Sequence, residues 1–364
     1  MEGLVISSAA WRGRSVLVTG HTGFKGGWLA IWLNQLGAEV HGLALDPPGD
    51  PNLFEAACVA EALTSDSRVD LADLDSVERV VKHARPSVVF HLAAQPLVLR
   101  GYEDPVGTWR TNVLGTVHLL EAVRHSPTVR TVVIATTDKV YENEETGRPF
   151  IEGDRLGGHD PYAASKAATE LVVSSARASF PTTDHGGELR LATGRAGNVI
   201  GGGDWALDRL VPDCLRAASG EVSLRIRNPG SIRPWQHVLD PLSGYLRLAE
   251  TLDRTDGGDF CGAWNFGPDE DQQATVGEVV DEVFRVWGSR PSIVTAEAEQ
   301  SVAESRLLAL NSSRARALLG WLPRWNMSEA VALTVRWHRA WTGADDMGAL
   351  CRHQIAMHQD RRSG

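Results

Sequence analysis

Residues Ser15 to Asp46 read SVLVTGHTGFKGGWLAIWLNQLGAEVHGLALD, and most of the predicted architecture follows from this segment. Ser15–Thr19 has the continuous apolar character of a buried parallel strand, and a helix is predicted through Trp28–Leu33. A second strand follows at Glu39–Leu45 and ends at an aspartate. Strand, helix and strand form one βαβ unit, from which open parallel sheets are built.

The turn between the first strand and the helix carries three glycines at the spacing G-x-x-G-x-x-G. Glycine is needed because the chain must turn sharply while its backbone approaches a pyrophosphate closely, and the N–H groups that open the helix then point at the negative charge. Such a match has meaning directly after a strand and before a helix, which is the context here. The predicted dinucleotide-binding residues of this loop are Gly20, His21, Thr22, Gly23, Phe24, Lys25 and Gly26.

Asp46 lies at the end of the second predicted strand, twenty residues after Gly26. A carboxylate there can accept hydrogen bonds from both hydroxyls of the adenosine ribose, although an aspartate before two prolines also suits a solvated turn. Residues 43–50 contain no lysine or arginine that would neutralise the additional phosphate of NADP. We therefore expect NAD as the cofactor.

Further cofactor contacts are expected after the next strands. Asp70 either accepts from the adenine amino group or caps a turn, and the small residues after the fourth strand either let the cofactor lie against the backbone or simply pack. The candidate residues in this set are Asp70, Leu71, Leu92, Ala93, Ala94, Gln95 and Asn112.

Strands and helices continue to alternate along the first half of the chain. Strands are predicted at Arg68–Asp70, Ser87–Leu92, Arg130–Thr136 and Glu188–Arg195, with helices at Asp75–Ala84, Val106–Val123 and Ala163–Arg177. This pattern predicts an α/β fold with a doubly wound parallel sheet, the Rossmann architecture, and a smaller C-terminal α/β lobe for the substrate. The predicted division is 11–197 with about 235–268 for the NAD-binding domain, 198–234 and 269–342 for the lobe, and 343–364 for a C-terminal tail.

The composition is that of an acidic globular protein. The chain has 364 residues, a formal net charge of −10 and 43% hydrophobic residues. The charge opposes nonspecific binding to nucleic acid, and no apolar run reaches the length of a membrane helix. The N-terminal stretch lacks the features of a secretory signal, so we expect a cytoplasmic protein. Four cysteines without a Cys-x-x-Cys pair predict neither a disulfide framework nor a metal site.

Tyr162 and Lys166 are four residues apart, which places a phenol and an ammonium on one face of a helix. The pKa of a free tyrosine is about 10, too high for a base at neutral pH, and a neighbouring ammonium stabilises the phenolate. The pair can thus remove a hydroxyl proton and also bond the nicotinamide ribose. Both residues are predicted to be catalytic and to bind the cofactor.

Residues 136–139 place polar side chains at the end of the fifth predicted strand, where ligands bind in such sheets. Once a sugar carbon becomes a ketone, the neighbouring C–H bond is acidified, and an acid at the next hydroxyl then expels water. Asp138 is the candidate acid if surroundings of low polarity keep it protonated. Lys139 is either a neutral base or a cation that stabilises the enolate; an exposed ion pair in a turn is the third reading of this dipeptide.

Five segments resemble the extended short-chain dehydrogenase/reductase family, and most closely its dehydratases that act on CDP-glucose. The resemblance covers about residues 11–342, and a lysine at position 139 is typical of the CDP-sugar branch. Residues 142–154 depart from the family, which usually carries an aromatic-rich stretch there. The segments that carry the resemblance are Gly20–Gly26, Ala93–Val98, Asp138–Lys139, Ala196–Trp205 and Arg233–Val238.

The resemblance implies a sugar-nucleotide 4,6-dehydratase that recycles NAD: oxidation at C4, loss of water across C5 and C6, and return of the hydride to C6. Thr137 would bond the C4 oxygen, Asp138 would protonate the departing C6 hydroxyl, and Lys139 would act at C5. An NAD-dependent epimerase, or a dehydratase for another sugar nucleotide, is the alternative.

The resemblance also implies the partner and the assembly. CDP-glucose is the expected small-molecule substrate, and arginines suit its diphosphate because a guanidinium donates two parallel hydrogen bonds. Extended family members pair through two helices, so we expect a homodimer through Val106–Val123 and Ala163–Arg177. The implied substrate-binding residues are Gln95, Asn198, Asp204, Arg209, Arg233 and His237.

Overall fold

The structure is a computed structural model, and it describes residues 6–220, 222–226, 228–269, 272–289, 293–295 and 307–361. Within these ranges no helix has both the length and the apolar character that crossing a membrane requires.

The first half of the chain alternates strands with helices. The strands are β1 (Ser15–Thr19), β2 (Glu39–Ala44), β3 (Ser65–Arg68), β4 (Val88–His91), β5 (Thr131–Ala135) and β6 (Arg190–Ala196). The helices are α1 (Ser8–Trp11), α2 (Phe24–Gln35), α3 (Leu53–Ala56), α4 (Leu74–Ala84), α5 (Val98–Glu103), α6 (Pro105–Trp109), α7 (Gly115–Arg124) and α8 (Pro161–Ser179). A π-helical turn, Arg110–Leu114, joins α6 to α7, and a 3-10 turn covers Asp138–Val140.

The second half has shorter strands. They are β7 (Val199–Ile200), β8 (Leu224–Ile226), β9 (Ile232–Arg233), β10 (Gln236–His237), β11 (Gly262–Phe266), β12 (Ala274–Thr275) and β13 (Ile293–Thr295). The helices are α9 (Leu210–Ala218), α10 (Leu239–Leu252), α11 (Val276–Trp287), α12 (Met327–Thr342) and α13 (Met347–Asp360).

Seven strands form one sheet in the order β11-β6-β5-β4-β1-β2-β3, and every neighbouring pair is parallel. The strand order reverses at β1, which lies between β2 and β4. In sheets of this kind ligands bind outside the carboxyl ends of the strands at the reversal point. The predicted doubly wound Rossmann sheet is confirmed.

The strands alternate their side chains between two apolar layers. Val16 and Val18 of β1 face the layer built on α2 and α10, whereas Leu17 faces the layer built on α4, α7 and α8. This alternation is what a strand covered on both faces requires. A third apolar cluster lies apart from the sheet and is formed mainly by α9, α11 and α12.

Three predicted elements differ from the structure. β3 is Ser65–Arg68 and ends where the predicted strand begins, because its polar sequence gives no continuous apolar signal. The predicted helix over residues 106–123 is helical throughout but contains the π-helical turn Arg110–Leu114 between α6 and α7. The predicted C-terminal tail contains α13, whose side chains Cys351, Ile355 and His358 are buried.

α13 packs against α2 and α12. The ring of His358 lies 5.4 Å from that of Trp32 in α2, and its Nε2 is 3.0 Å from Oδ1 of Asp240 in α10. The last helix of the chain therefore covers the outer side of the helix that follows the glycine loop.

Candidate active site

The glycine loop brings backbone atoms too close for side chains. Gly20 has φ of +77°, and a Cβ on it would lie 2.7 Å from the backbone N of Ala93. A Cβ on Gly26 would lie 2.9 Å from Cα of His21. Gly23 caps α2, which has no acidic residue in its first turn. The open backbone and the unpaired N–H groups at the start of α2 fit the pyrophosphate of a dinucleotide.

Two other residues of the loop serve the protein itself. Thr22 donates a hydrogen bond from Oγ1 to the backbone O of Leu45 at 3.0 Å, which ties the loop to the end of β2. Phe24 is partly buried against the apolar layer of α2. Their side chains position the loop, so only their backbone is left for a ligand.

The side chain of His21 points away from the cofactor loop. It is fully buried, and its Nε2 is 2.9 Å from Oδ1 of Asp66 in β3. Burial lowers the pKa of His21, so the ring is neutral at pH 7 and donates to the carboxylate. The structure therefore directs the side chain of His21 toward β3, and only its backbone remains for the predicted cofactor contact.

The structure distinguishes the two aspartates predicted near the adenosine. The side chain of Asp46 is 90% exposed at the end of β2 and remains available to a ribose. Asp70 accepts from the backbone N of Ala72 at 2.9 Å, which is the turn-capping role. Leu71 is buried in the layer of α4 and α7, so its side chain does not face the cofactor.

The segment after β4 divides into two parts. Leu92 and Ala94 line the central cavity, and Ala93 donates its backbone N–H to Oγ1 of Thr19 at 3.1 Å. Gln95 turns away: its Nε2 donates to the backbone O of Leu97 at 3.0 Å and to Thr108. Asn112 holds the backbone N and O of Gln95, at 2.8 and 3.1 Å. In this structure both amide side chains stabilise the loop and neither lines the cavity, so their predicted cofactor and substrate contacts stay predictions.

A cavity of about 330 Å³ opens at the carboxyl ends of β5 and β6, within the range of small-molecule sites. It brings together the five predicted catalytic residues and four of the predicted substrate residues. Nothing in residues 142–154 lines it. The predicted site residues that line the cavity are Lys25, Leu92, Ala94, Thr137, Asp138, Lys139, Tyr162, Lys166, Asn198, Asp204, Arg209 and Arg233.

Asp138 is a buried acid with an unused oxygen. Only 2% of the residue is exposed; Oδ1 accepts from Oγ1 of Thr137 at 2.9 Å, and Oδ2 has no partner among the described residues. Burial raises the pKa of Asp138 against the opposing effects of Lys139, Thr137 and Arg233. A buried carboxyl of raised pKa holds a proton that it can give to a leaving group.

Tyr162 and Lys166 lie on one face of α8, as predicted, but their electrostatics differ from the expectation. Burial raises the pKa of Tyr162 to about 12, opposed by a hydrogen bond with Thr137 and by the charge of Arg209. Lys166 donates from Nζ to the backbone O of Ala135 at 3.2 Å, and burial lowers its pKa to about 8. In this structure Lys166 therefore does not bring the phenol into the range of a base.

Lys25 reaches the cavity from the first turn of α2. Its Nζ lies 3.2 Å from the hydroxyl of Tyr245, and burial, with the charges of Lys166 and Arg209, lowers its pKa to about 7. A cation at a helix N-terminus is unfavourable for the helix, so this lysine is placed at a cost. Tyr245, which no sequence motif indicated, is the buried partner that holds it.

The predicted substrate residues fall into two groups. Arg209 pairs with Asp204 at 3.2 Å at the cavity wall, and Arg233 donates from Nη1 to the backbone O of Ile232 at 2.9 Å. His237 is fully buried, with its ring 4.7 Å from that of Trp325, and it does not line the cavity. Because β10 directs this side chain into the core, the structure does not bring His237 together with the other predicted substrate residues.

One polar cluster beneath the cavity has no recognisable signature in the sequence. Glu170, one turn after Lys166, accepts from Thr136 at 2.6 Å and from Nε and Nη2 of Arg195 at 3.0 and 2.8 Å. Arg195 also donates to the hydroxyl of Tyr141 at 2.9 Å. Pairs so distant in sequence give no local pattern, but they join β5, β6 and α8 under the catalytic side chains.

The glycine cradle, the ribose carboxylate and the tyrosine–lysine pair on a doubly wound sheet define a nicotinamide-dependent enzyme of the Rossmann class. The chain belongs to the NAD dependent epimerase/dehydratase family, whose family model matches residues 16–267. NAD is its cofactor, and the cradle around Gly20 and Gly26 fits that group.

The sequence is similar to curated sugar-nucleotide enzymes. It is 45% identical over 354 residues to the CDP-glucose 4,6-dehydratase of Salmonella typhimurium, covering 97% of this chain and 98% of that protein. It is 28% identical to a dTDP-glucose 4,6-dehydratase of Xanthomonas campestris, with 88% of this chain and 92% of the relative covered.

Solved structures share the fold. The UDP-glucose 4-epimerase of Thermus thermophilus in complex with NAD aligns with a TM-score of 0.75 and 30% identity, over 90% of this chain and 99% of that one. A dTDP-glucose 4,6-dehydratase of Bacillus anthracis aligns with a TM-score of 0.74 and 22% identity, over 90% and 98%. Each of these four relatives is named for a sugar nucleotide, and the substrate class that they support for this chain is a sugar nucleotide.

Proposed function

We propose that the enzyme is a hydro-lyase that converts CDP-glucose to CDP-4-keto-6-deoxyglucose. The observation that carries the proposal is the buried acid Asp138, which shares one cavity with Tyr162, Lys166 and Lys139. An epimerase needs no proton donor at C6, whereas a dehydratase needs one to protonate the C6 hydroxyl that leaves as water. The identity of 45% over nearly the whole chain to a CDP-glucose 4,6-dehydratase supports the same reaction.

NAD, when bound, supplies the acceptor for the C4 hydride and later returns that hydride to C6. We assign Tyr162 to remove the proton of the C4 hydroxyl, with Thr137 as a hydrogen-bond partner of the same oxygen. Because the pKa of Tyr162 is about 12, the phenolate needs facing cations, and Arg209 and Lys166 line the same cavity.

Water elimination is assigned to the 3-10 turn after β5. Asp138 gives its proton to the C6 hydroxyl, which leaves as water, while the C5–H bond breaks beside Lys139. The C5 proton goes either to neutral Lys139 or to water near its cationic form. Oδ2 of Asp138, which has no partner among the described residues, is the oxygen left to act on the substrate, because Oδ1 is bonded to Thr137.

The nucleotide half of the substrate is assigned to the lobe side of the cavity. Arg209, Arg233 and Asn198 line it there, together with Arg225 of β8. Guanidinium groups suit a diphosphate because each donates two parallel hydrogen bonds. This concentration of cations supports binding of a polyanion by a protein whose net charge is −10.

Purified protein incubated separately with CDP-, dTDP- and UDP-glucose tests the function. We expect the alkali-induced absorbance of a 4-keto-6-deoxy product with CDP-glucose. Asp138→Asn should abolish this product while C4 oxidation still reduces the nicotinamide; Asp256→Asn, on an exposed turn, is the control. Epimerised sugar from any of the three, without loss of water, would replace the proposal with its epimerase alternative.

We also propose a homodimer. The sequential helices α6 and α7, with the turn between them, expose Val106, Trp109, Leu114 and Val117, and α8 exposes Leu171. Exposed apolar patches mark interfaces. Leu171→Glu should give a monomer in light scattering after gel filtration, whereas Leu318→Glu, which is also exposed, should not; an unchanged mass for Leu171→Glu contradicts this interface.

The division into two domains and the location in the cell are proposals as well. The separate apolar cluster of α9, α11 and α12 supports a lobe built from residues 198–234 and 269–342, with 11–197 and about 235–268 binding NAD. The contacts of α13 with α2 support assigning that helix to the NAD-binding part. All four cysteines are free thiols, which supports the cytoplasm.

A further inference from the structure

An arginine lies beside the carboxylate of Asp46, although residues 43–50 around that aspartate contain no lysine or arginine. Arg68 is the last residue of β3, which pairs in parallel with β2, so that Arg68 stands opposite Ala44. Its Nη1 is 3.5 Å from Oδ1 of Asp46. Pairing between two strands thus places an arginine at the adenosine ribose from 22 residues further along the chain.

Arg68 is held in a fixed orientation. Its Nε and Nη2 donate to the two carboxylate oxygens of Asp66, each at 2.8 Å, and its guanidinium carbon lies 4.6 Å from the centre of the Phe54 ring. Asp66 in turn accepts from the buried ring of His21. An arginine that is already held by a bidentate hydrogen bond and by an aromatic ring loses little further conformational entropy when it binds a ligand.

The charges of this group leave one guanidinium edge available. Burial opposes ionisation of Asp66, but hydrogen bonds from Arg68 and His21 outweigh it and lower the pKa of Asp66. Asp66 is therefore ionised and occupies one edge of Arg68. The remaining contact, from Nη1 to Asp46 at 3.5 Å, is longer than a good hydrogen bond, and the side chain of Asp46 is 90% exposed.

We propose that Arg68 is a specificity-determining residue for the cofactor, and that the site binds NADP as well as NAD. In Rossmann proteins a carboxylate at the end of the second strand accepts from the ribose 2′-hydroxyl, whereas a nearby arginine accommodates a 2′-phosphate. This chain carries both groups side by side. A 2′-phosphate displaces the exposed carboxylate of Asp46 into water and takes the free edge of Arg68.

A competition measurement tests the proposal by binding alone. Full-length protein is equilibrated with fixed NAD and rising NADP, and both bound nucleotides are quantified by chromatography after rapid separation. We expect wild-type protein to bind NADP within about 100-fold of its affinity for NAD. Arg68→Met should weaken NADP at least about tenfold more than NAD, because a hydrogen bond between two charged groups is lost.

Three further variants make the outcome specific. Arg68→Lys keeps the charge but not the fork and should lie between wild type and Arg68→Met. Arg285→Met, an exposed arginine in α11, controls for the change in net charge. Asp46→Ser should strengthen NADP binding, and Arg68→Met should remove that gain in the double variant.

Two results overturn the proposal. The first is an absence of NADP binding to the wild-type protein at millimolar concentration. The second is an equal loss of NAD and NADP in Arg68→Met, which would make Arg68 only a support for the fold of the loop. Neither result touches the dehydratase reaction, which is assayed with NAD and the sugar nucleotide.

Discussion

The substitution Gly197→Ala tests whether the position of the Asp138 carboxyl controls the rate of water loss. A Cβ on residue 197 would lie 3.0 Å from Oδ1 of Asp138 and nearer still to Oδ2 and Cγ, whereas ordinary contacts begin at 3.4 Å. The backbone O of Gly197 is held by Nε2 of Gln236 at 3.1 Å, so the carboxyl rather than the backbone has to yield. It must retreat by at least about 1 Å, and a displacement of that size costs about 100-fold in rate.

The assay follows two steps of one turnover. In Gly197→Ala the 4-keto-6-deoxy product should form about 100-fold more slowly, while substrate still reduces the bound nicotinamide, because Tyr162 and Lys166 lie on α8 and do not meet the new methyl group. Gly153→Ala is the matched control, since a Cβ there meets nothing within 4 Å. Product formation at the wild-type rate in Gly197→Ala would refute the reasoning, as would an equal loss of both steps in a folded protein.

Three other outcomes are expected. Tyr162 accepts a proton only as the phenolate and has a pKa of about 12, so product formation should rise with pH and level off near pH 8, where Lys166 loses its charge; Lys166→Arg should let the rise continue to higher pH, and identical pH–rate profiles contradict the assignment. Lys139→Met should prevent exchange of the C5 hydrogen with deuterated water, and Lys139→Arg should restore it if the residue acts as a cation and not if it acts as a base. Glu170→Gln should lower the free energy of unfolding in urea by about 3–5 kcal/mol, because the charge of Arg195 would stay buried without its partner; the exposed Glu144→Gln should change it little, and an equal effect of the two variants counts against the buried pair.

The sequence predicted those parts of the fold that depend on local pattern. β1, the glycine turn and α2 form a continuous run of apolar, glycine and apolar residues, and Ser15–Thr19 is a strand as predicted. The sequence places the third strand at Arg68–Asp70 instead of Ser65–Arg68, because Ser65–Arg68 is polar and becomes a strand only by pairing with β2. The cation at the ribose was missed for the same reason, since strand pairing rather than sequence distance brings Arg68 to Asp46.

Side-chain direction was the least predictable property of the site. His21 and His237 belong to segments that carry the resemblance, yet both rings are buried in the protein rather than in the cavity. The side chain of Asn112 likewise bonds the backbone of Gln95, whose own side chain bonds Leu97 and Thr108. A motif records which residue types occur together, whereas the direction of each side chain follows from packing partners far away in the chain. Asp138 was predicted as a buried acid because its proposed chemistry itself requires that environment.

The packing of α13 on α2 has a consequence for biosynthesis. α2 is made before α13, and its Trp32 lies against His358 of α13, 326 residues further along the chain. Domains fold in the direction of synthesis where their contacts allow it. Here the nascent chain carries an uncovered tryptophan surface on α2 until α13 has been synthesised, so the first βαβ unit reaches its final packing only after that helix docks.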